Sequence, residues 1–198
     1  PGDDYTSELL RRLRDEQPEG MDKDRVAQTL FGLLMAGHET TTSQSASAMR
    51  ALLSDPPAWQ RLCREPEFIP NAVEEMVRFD SPIPGNARTL TRDVERHGRK
   101  LPAGAKVLLL YAAANRDDRE FPGGDRFDVG RSPNDHLSFG GGEHFCLGAS
   151  LARLEIRVMF EELLRRFPDM AVSGKIRRLR SNFINGYKEI PVSFTPEK

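Results

Sequence analysis

The stretch Phe139-Gly140-Gly141-Gly142-Glu143-His144-Phe145-Cys146-Leu147-Gly148 sets one cysteine between a run of glycines and a segment of helical periodicity. Consecutive glycines let the backbone turn tightly and come close to a ligand. The entry of a helix suits an anionic sulfur, the form that attacks carbon and that binds metal. On the residues alone, Cys146 therefore reads either as a nucleophile or as a metal ligand. His144 stands only two residues away in the same loop, poorly placed to act as general base and to complete a triad. Zinc fares worse, because the scattered histidines give no four-ligand spacing. The second cysteine, Cys63, lies in WQRLCREP and reads as a buried or half-buried helical thiol. Two cysteines could form one disulfide, but the absence of a cysteine framework argues against it.

A second unusual run is Ala36-Gly37-His38-Glu39-Thr40-Thr41-Thr42, in the middle of a segment of otherwise helical pattern. Glycine and hydroxyl residues are poor choices for a helix centre. Their presence there predicts a loosened backbone ladder with room for a group to approach. The plainer alternative is a polar face whose hydroxyls bond back to carbonyls. Glu75-Met76-Val77-Arg78 spaces an acid and a base three apart on one helix face.

The elements that must position these residues follow from periodicity. A short helix is predicted over Tyr5–Arg14, then a polar loop, EQPEGMD, with Asp22 as N-cap. No proline interrupts residues 24–54, so one long helix is expected to carry the polar run at its centre. Asp55-Pro56-Pro57 ends it, and PAWQRLCRE and NAVEEMVRF read as two further helices. Residues 86–117 show short β-compatible runs punctuated by His97-Gly98 and Pro102-Ala103-Gly104, which predicts a small antiparallel sheet. Residues 117–143 are rich in Gly, Pro and Asp and predict a long loop, which Phe121, Phe127 and Phe139 would pack. Helical pattern resumes at Leu147, with Leu151, Leu154, Val158 and Leu163 assigned to its apolar side. A last hairpin is expected to turn at Asn185-Gly186. The fold class is thus mainly α with a small β component.

Composition bounds the function classes. The 198 residues carry a formal net charge of -1, with 38% hydrophobic and 30% charged residues. A mixed charge without a long basic tract gives no case for nucleic-acid binding. No run approaches the roughly 20 apolar residues of a membrane span. The expected setting is soluble and cytoplasmic, with no membrane partner.

The cysteine loop resembles the haem-binding signature of the cytochrome P450 family, Phe-x-x-Gly-x-x-x-Cys-x-Gly, with Phe139, Gly142, Cys146 and Gly148 in place and His144 at its basic position. The resemblance implies haem b, iron protoporphyrin IX, with Cys146 as proximal ligand, Phe139 and Gly140 beside it, and His144 on a propionate. Arg88, after the Ser-Pro segment, resembles the propionate-binding arginine of bacterial members. Ala36-Gly37-His38-Glu39-Thr40-Thr41 is similar to the family's oxygen-activation motif: Ala36 and Gly37 would leave space over the iron, and Glu39 and Thr40 would relay protons to O2. Glu75 and Arg78 are similar to the family's Glu-x-x-Arg, and the region of Arg126 to its Pro-Glu-Arg-Phe, which implies a buried structural network Glu75–Arg78–Arg126.

The resemblance covers residues 1–198 as the C-terminal haem-binding part, with the N-terminal half expected to be absent. It implies a bacterial, actinobacterial-type monooxygenase that hydroxylates or epoxidises a small hydrophobic or natural-product substrate. Electrons would come from a reductase through a ferredoxin-type partner, and the missing half would be a further partner. The competing class is a cytochrome P450-like binding or recruitment module, or inactive fragment, without haem.

Overall fold

In the computed structural model, which describes residues 2–17 and 19–196, the chain divides into two compact units, one up to Glu39 and one from Thr40 on. Pro18, in the polar loop, lies outside the described residues. Helix α1, Tyr5–Asp15, is capped by Asp4, whose carboxylate accepts the Ser7 amide at 2.9 Å. Its Glu8 pairs with Arg11 and Arg12, the i,i+3 and i,i+4 partners of an exposed helix surface. Asp22 then accepts the Arg25 amide at 2.7 Å and opens α2, Lys23–Leu53, which at 31 residues is on the order of 45 Å long. The expected loosening at its centre is not seen: α2 stays α-helical throughout. Each Thr and Ser there can adopt helical dihedrals while its hydroxyl bonds locally, as Thr29 does to the Arg25 carbonyl at 2.8 Å. Among the described residues no helix is long and apolar enough to cross a membrane.

The second unit holds the main core. Helix α3, Pro56–Arg64, starts on Asp55, which accepts the Ala58 amide, and its prolines occupy first-turn positions that lack an intrahelical acceptor anyway. It buries Ala58, Trp59 and Leu62. Trp59 also satisfies its indole by donating to the Pro168 carbonyl at 3.0 Å. Helix α4, Ile69–Phe79, and helix α6, Ala149–Arg166, pack on each other through Val73, Met76, Ile156 and Phe160 in the same cluster. The last part of α2 joins them with small residues: Ser43, Ser47 and Ala48 are buried, and Gln44 donates to the Met76 carbonyl at 3.0 Å.

The apolar side of α6 differs from expectation. Ile156, Phe160 and Leu164 face the core, whereas Leu151, Leu154 and Val158 are exposed, as is Leu147 just before the helix. Two apolar stripes share this helix, so periodicity could not say which one α4 covers.

The predicted single sheet is instead a pair of two-stranded ladders. Strand β1, Asn86–Thr89, pairs antiparallel with β4, Lys106–Leu109, and the nested hairpin of β2, Val94–Arg96, and β3, Arg99–Leu101, turns at His97-Gly98. Both turn residues have positive φ, 49° and 73°, as a two-residue hairpin of matching twist requires. Tyr111–Ala114, read as part of the β run, is a single helical turn, α5. At the C-terminus β5, Ala171–Val172, pairs with β8, Val192–Ser193, and β6, Arg177–Arg178, with β7, Tyr187–Glu189. Asn185-Gly186 is not a tight turn there. Asn185 reaches across to Asp80 and to the Ser81 carbonyl, and its amide donates to the Pro82 carbonyl, so this segment is an anchor onto the loop after α4.

Candidate functional site

No helix or strand forms between α5 and Gly142, so side chains from α4 must hold this loop in place. Glu75 and Arg78 are fully buried and pair through both carboxylate oxygens at 2.7 Å. The remaining guanidinium hydrogens go to three loop carbonyls: Asn115 at 2.6 Å, Gly124 at 2.8 Å and Arg126 at 3.1 Å. Every donor of Arg78 is thereby used, which makes a buried cation tolerable. Gly124 belongs at its position because a Cβ there would lie 2.8 Å from the Arg116 carbonyl oxygen.

Glu75 in turn accepts the Asp128 amide at 2.8 Å, Arg131 Nε at 3.2 Å and Asn134 Nδ2 at 3.2 Å. The predicted third member, Arg126, thus joins only through its carbonyl. The guanidinium that reaches Glu75 is that of Arg131, five residues on, whose side chain is 10% exposed. Asn115, also fully buried, accepts the Leu137 amide at 2.8 Å and donates to Ser138 Oγ at 2.8 Å, and Ser138 donates to the Val77 carbonyl.

The adjacent residue Glu74 faces a different set of partners. Arg153, on α6, binds it with two parallel bonds of 2.6 and 2.9 Å, and His136 Nε2 lies 3.1 Å from it. The Ser138 amide points at His136 Nδ1, which leaves Nε2 as the protonated nitrogen facing Glu74. Partial burial pushes the Glu74 carboxyl upward, but the bonds from His136 and Arg153 outweigh it and hold its pKa at about 2. The same bonds raise Arg153 above its ordinary range.

These fastenings lead to the cysteine. Phe139 packs against the core edge, with the Arg153 guanidinium 4.4 Å above its ring and the rings of His136 and Phe145 at 5.8 and 6.4 Å. Its carbonyl accepts the Cys146 amide at 2.9 Å and closes the loop. Gly140 and Gly142 take positive φ, 73° and 62°, which explains glycine at both turns. Cys146 is free and exposed, beside the exposed apolar side chains of Phe145 and Leu147. Gly148 caps α6, and His144 is exposed at the end of a short 3-10 turn. Cys63 is free as well but half-buried: its sulfur lies 3.7 Å from the Leu164 carbonyl, and burial pushes its thiol pKa up. Among the described residues no group of three or more His, Cys, Asp or Glu is placed to hold a metal ion jointly.

Phe139, Gly140, His144, Cys146 and Gly148 thus share one loop, and Glu75 and Arg78 bind the stretch of chain that leads to it. Arg88 lies on β1, where it donates to the Ala87 carbonyl. Ala36, Gly37 and Glu39 lie in the first unit and Thr40 opens the second. Glu74, Asn115, Arg131, His136 and Arg153 are the positions that sequence reasoning missed. The available signal was a loop with many side-chain donors, Arg126, Arg131, Asn134 and His136, beside two consecutive glutamates on a helix.

A family model described as Cytochrome P450 matches residues 3–169. The chain is 41% identical over 199 residues to a steroid C26-monooxygenase of Mycobacterium tuberculosis, covering 98% of this chain and 53% of that protein. It is 44% identical over 195 residues to a methyl-branched lipid omega-hydroxylase of the same species, covering 98% and 45%. Among solved structures it is similar to CYP109E1 from Bacillus megaterium in complex with corticosterone, with a TM-score of 0.90, 37% identity and coverage of 97% of this chain and 52% of that one. The chain therefore spans about half the length of the curated relatives it matches.

Proposed function

This chain belongs to the cytochrome P450 family, and from that premise we propose that it is the C-terminal, haem-binding part of a haem-thiolate monooxygenase with Cys146 as the iron ligand. The observation that carries the reading is the loop itself: an exposed, free cysteine at the end of a turn whose approaches are tied to buried and half-buried charges on α4. The residues fit a flat apolar ring bearing a thiolate-seeking metal. Phe145 and Leu147 offer apolar surface beside the sulfur, and a Cβ at Gly141, Gly142 or Gly148 would meet nothing within 4 Å, so the backbone of this loop is open to a close approach.

When bound, haem supplies the activation of O2 and the insertion of one oxygen atom into a C–H or C=C bond, with electrons delivered singly. The chain's own residues orient and protect. Cys146 would supply the sulfur that holds the iron and lends it electron density, and Phe139 holds the sulfur's loop by accepting the Cys146 amide. His144, through a ring N–H, and the Arg88 guanidinium are donors of the kind that bind propionate carboxylates. As the family's motif implies, Ala36 and Gly37 would leave room for O2, and Glu39 and Thr40 would relay protons, the acid supplying and the hydroxyl passing them on. The steroid and branched-lipid substrates in the relatives' names support a hydrophobic substrate, and a ferredoxin-type protein is the matching electron donor.

The test is an absorbance spectrum of the chain after haem addition, reduction and carbon monoxide. The strongly red-shifted Soret band of a thiolate–carbonyl pair is expected for the natural sequence and absent from Cys146→Ala. A band that survives the substitution removes Cys146 from this role, and failure to take up haem at all supports the non-catalytic reading.

A further inference from the structure

We infer that Glu74 is a positioning residue for Cys146, acting through Arg153 and His136 on Phe139; the inference rests on Cys146 being the functional sulfur.

Five contacts make the chain of action. Cys146 is tied by its own amide to the Phe139 carbonyl at 2.9 Å. Phe139 is flanked by Arg153, whose guanidinium carbon is 4.4 Å from the ring centroid, and by His136, whose ring centroid is 5.8 Å away. Arg153 and His136 converge on the single carboxylate of Glu74, at 2.6, 2.9 and 3.1 Å. Glu74 comes from α4, the helix packed against α6 in the core. One rigid helix thus sets the ring of Phe139, the residue whose backbone carbonyl sets the cysteine.

The geometry is specific to a carboxylate. Two oxygens receive a planar fork from Arg153, and one of them also receives His136. A glutamine offers one acceptor and one donor, so it cannot match the fork. Arg153 is then free to leave the Phe139 ring. The charge balance near the sulfur changes as well. In the natural sequence Glu74 offsets Arg153, and loss of either leaves the other uncompensated. A lone cation withdraws electron density from a thiolate, and a lone anion does the reverse.

The roles separate from mere stability by sign. In the haem-loaded chain, Glu74→Gln is expected to raise the iron reduction potential and Arg153→Met to lower it, while Arg153→Lys, which keeps the charge but loses the fork, stays nearer the natural value. Glu161→Gln, in an exposed pair with Arg157 on the same helix, serves as control and leaves the potential unchanged. Shifts of the same sign in Glu74→Gln and Arg153→Met, or none, overturn the inference.

Hydrogen exchange on the haem-free chain gives a second measure. Glu74→Gln is expected to speed exchange of the Cys146 amide roughly tenfold relative to the α3 amides around Trp59. Equal acceleration in both places means a general loss of stability and also overturns it. The two measurements separate the failures: a chain that never takes up haem defeats the proposed function, while the exchange ratio still decides the part played by Glu74.

Discussion

Replacing Glu75 by glutamine tests how the loop is held. The carboxylate receives three donors on Oε2, from Arg78, Arg131 and Asn134, and two on Oε1, from Arg78 and the Asp128 amide. A glutamine that keeps its carbonyl at the Oε2 place turns an NH2 group toward the other two donors. It also leaves the Arg78 cation buried with no charge to offset it. Breaking such a pair from one side costs about 3–5 kcal/mol. For a chain of this length each kcal/mol moves the midpoint by about 2–4 °C, so a fall of roughly 6–20 °C is expected. Trp59 is the only tryptophan in the chain and sits 2% exposed in the same core, so its fluorescence during urea or thermal unfolding reports the affected unit directly. Glu161→Gln, which breaks an exposed pair, is the reference and is expected to change stability by less than about 1 kcal/mol. A Glu75→Gln midpoint indistinguishable from that reference refutes the account of the buried charge.

Further outcomes follow from the same geometry. Glu74 has a folded-state pKa of about 2 against an ordinary 4.5, so its stabilisation is full above the higher value and fades as pH falls toward the lower. The penalty of Glu74→Gln in urea midpoints is therefore expected to be largest near neutrality and to shrink below pH 4.5, and a penalty constant down to about pH 2 refutes it. Gly124→Ala is expected to destabilise by about 1–3 kcal/mol, because its Cβ would press on the Arg116 backbone at 2.8 Å and pull a carbonyl off Arg78; a neutral result in the same assay counts against that contact. In mass-spectrometric alkylation at neutral pH, exposed Cys146 is expected to label well ahead of Cys63, whose thiol is raised by burial. Equal rates would mean that Cys63 is not held as described.

The helices α1 to α4 were legible because each has a local signal: Asp22 as a cap, Asp55-Pro56-Pro57 as a stop and a new start, Pro70 at a first turn, and apolar residues at helical spacing on either side of the polar run in α2. The cysteine loop was legible as glycines around a thiol. What could not be read was set by partners far apart in sequence. Nothing local distinguishes Arg131 from Arg126, since the choice depends on which guanidinium the folded loop turns back toward Glu75, 56 residues away. The buried stripe of α6 is likewise decided by α4 and not by the helix itself. The β region was over-read as one sheet, because β2 and β3 close on each other through a turn that suits them and leave β1 to pair with β4.

Glu74 and Glu75 are neighbours on α4, about 100° apart around its axis, and so hold two separate stretches of loop from one turn of helix. This has a consequence for the order in which the chain acquires its shape. The loop from Asn115 to Gly141 has no ladder of its own and takes its course from carboxylates that exist in place only once α4 is docked. Its contacts span many residues, and such closures come after local ones. The cysteine's surroundings therefore form no earlier than α4 docks, and because α4 also supplies Val73 and Met76 to the core, a slowed α4 delays core and site together.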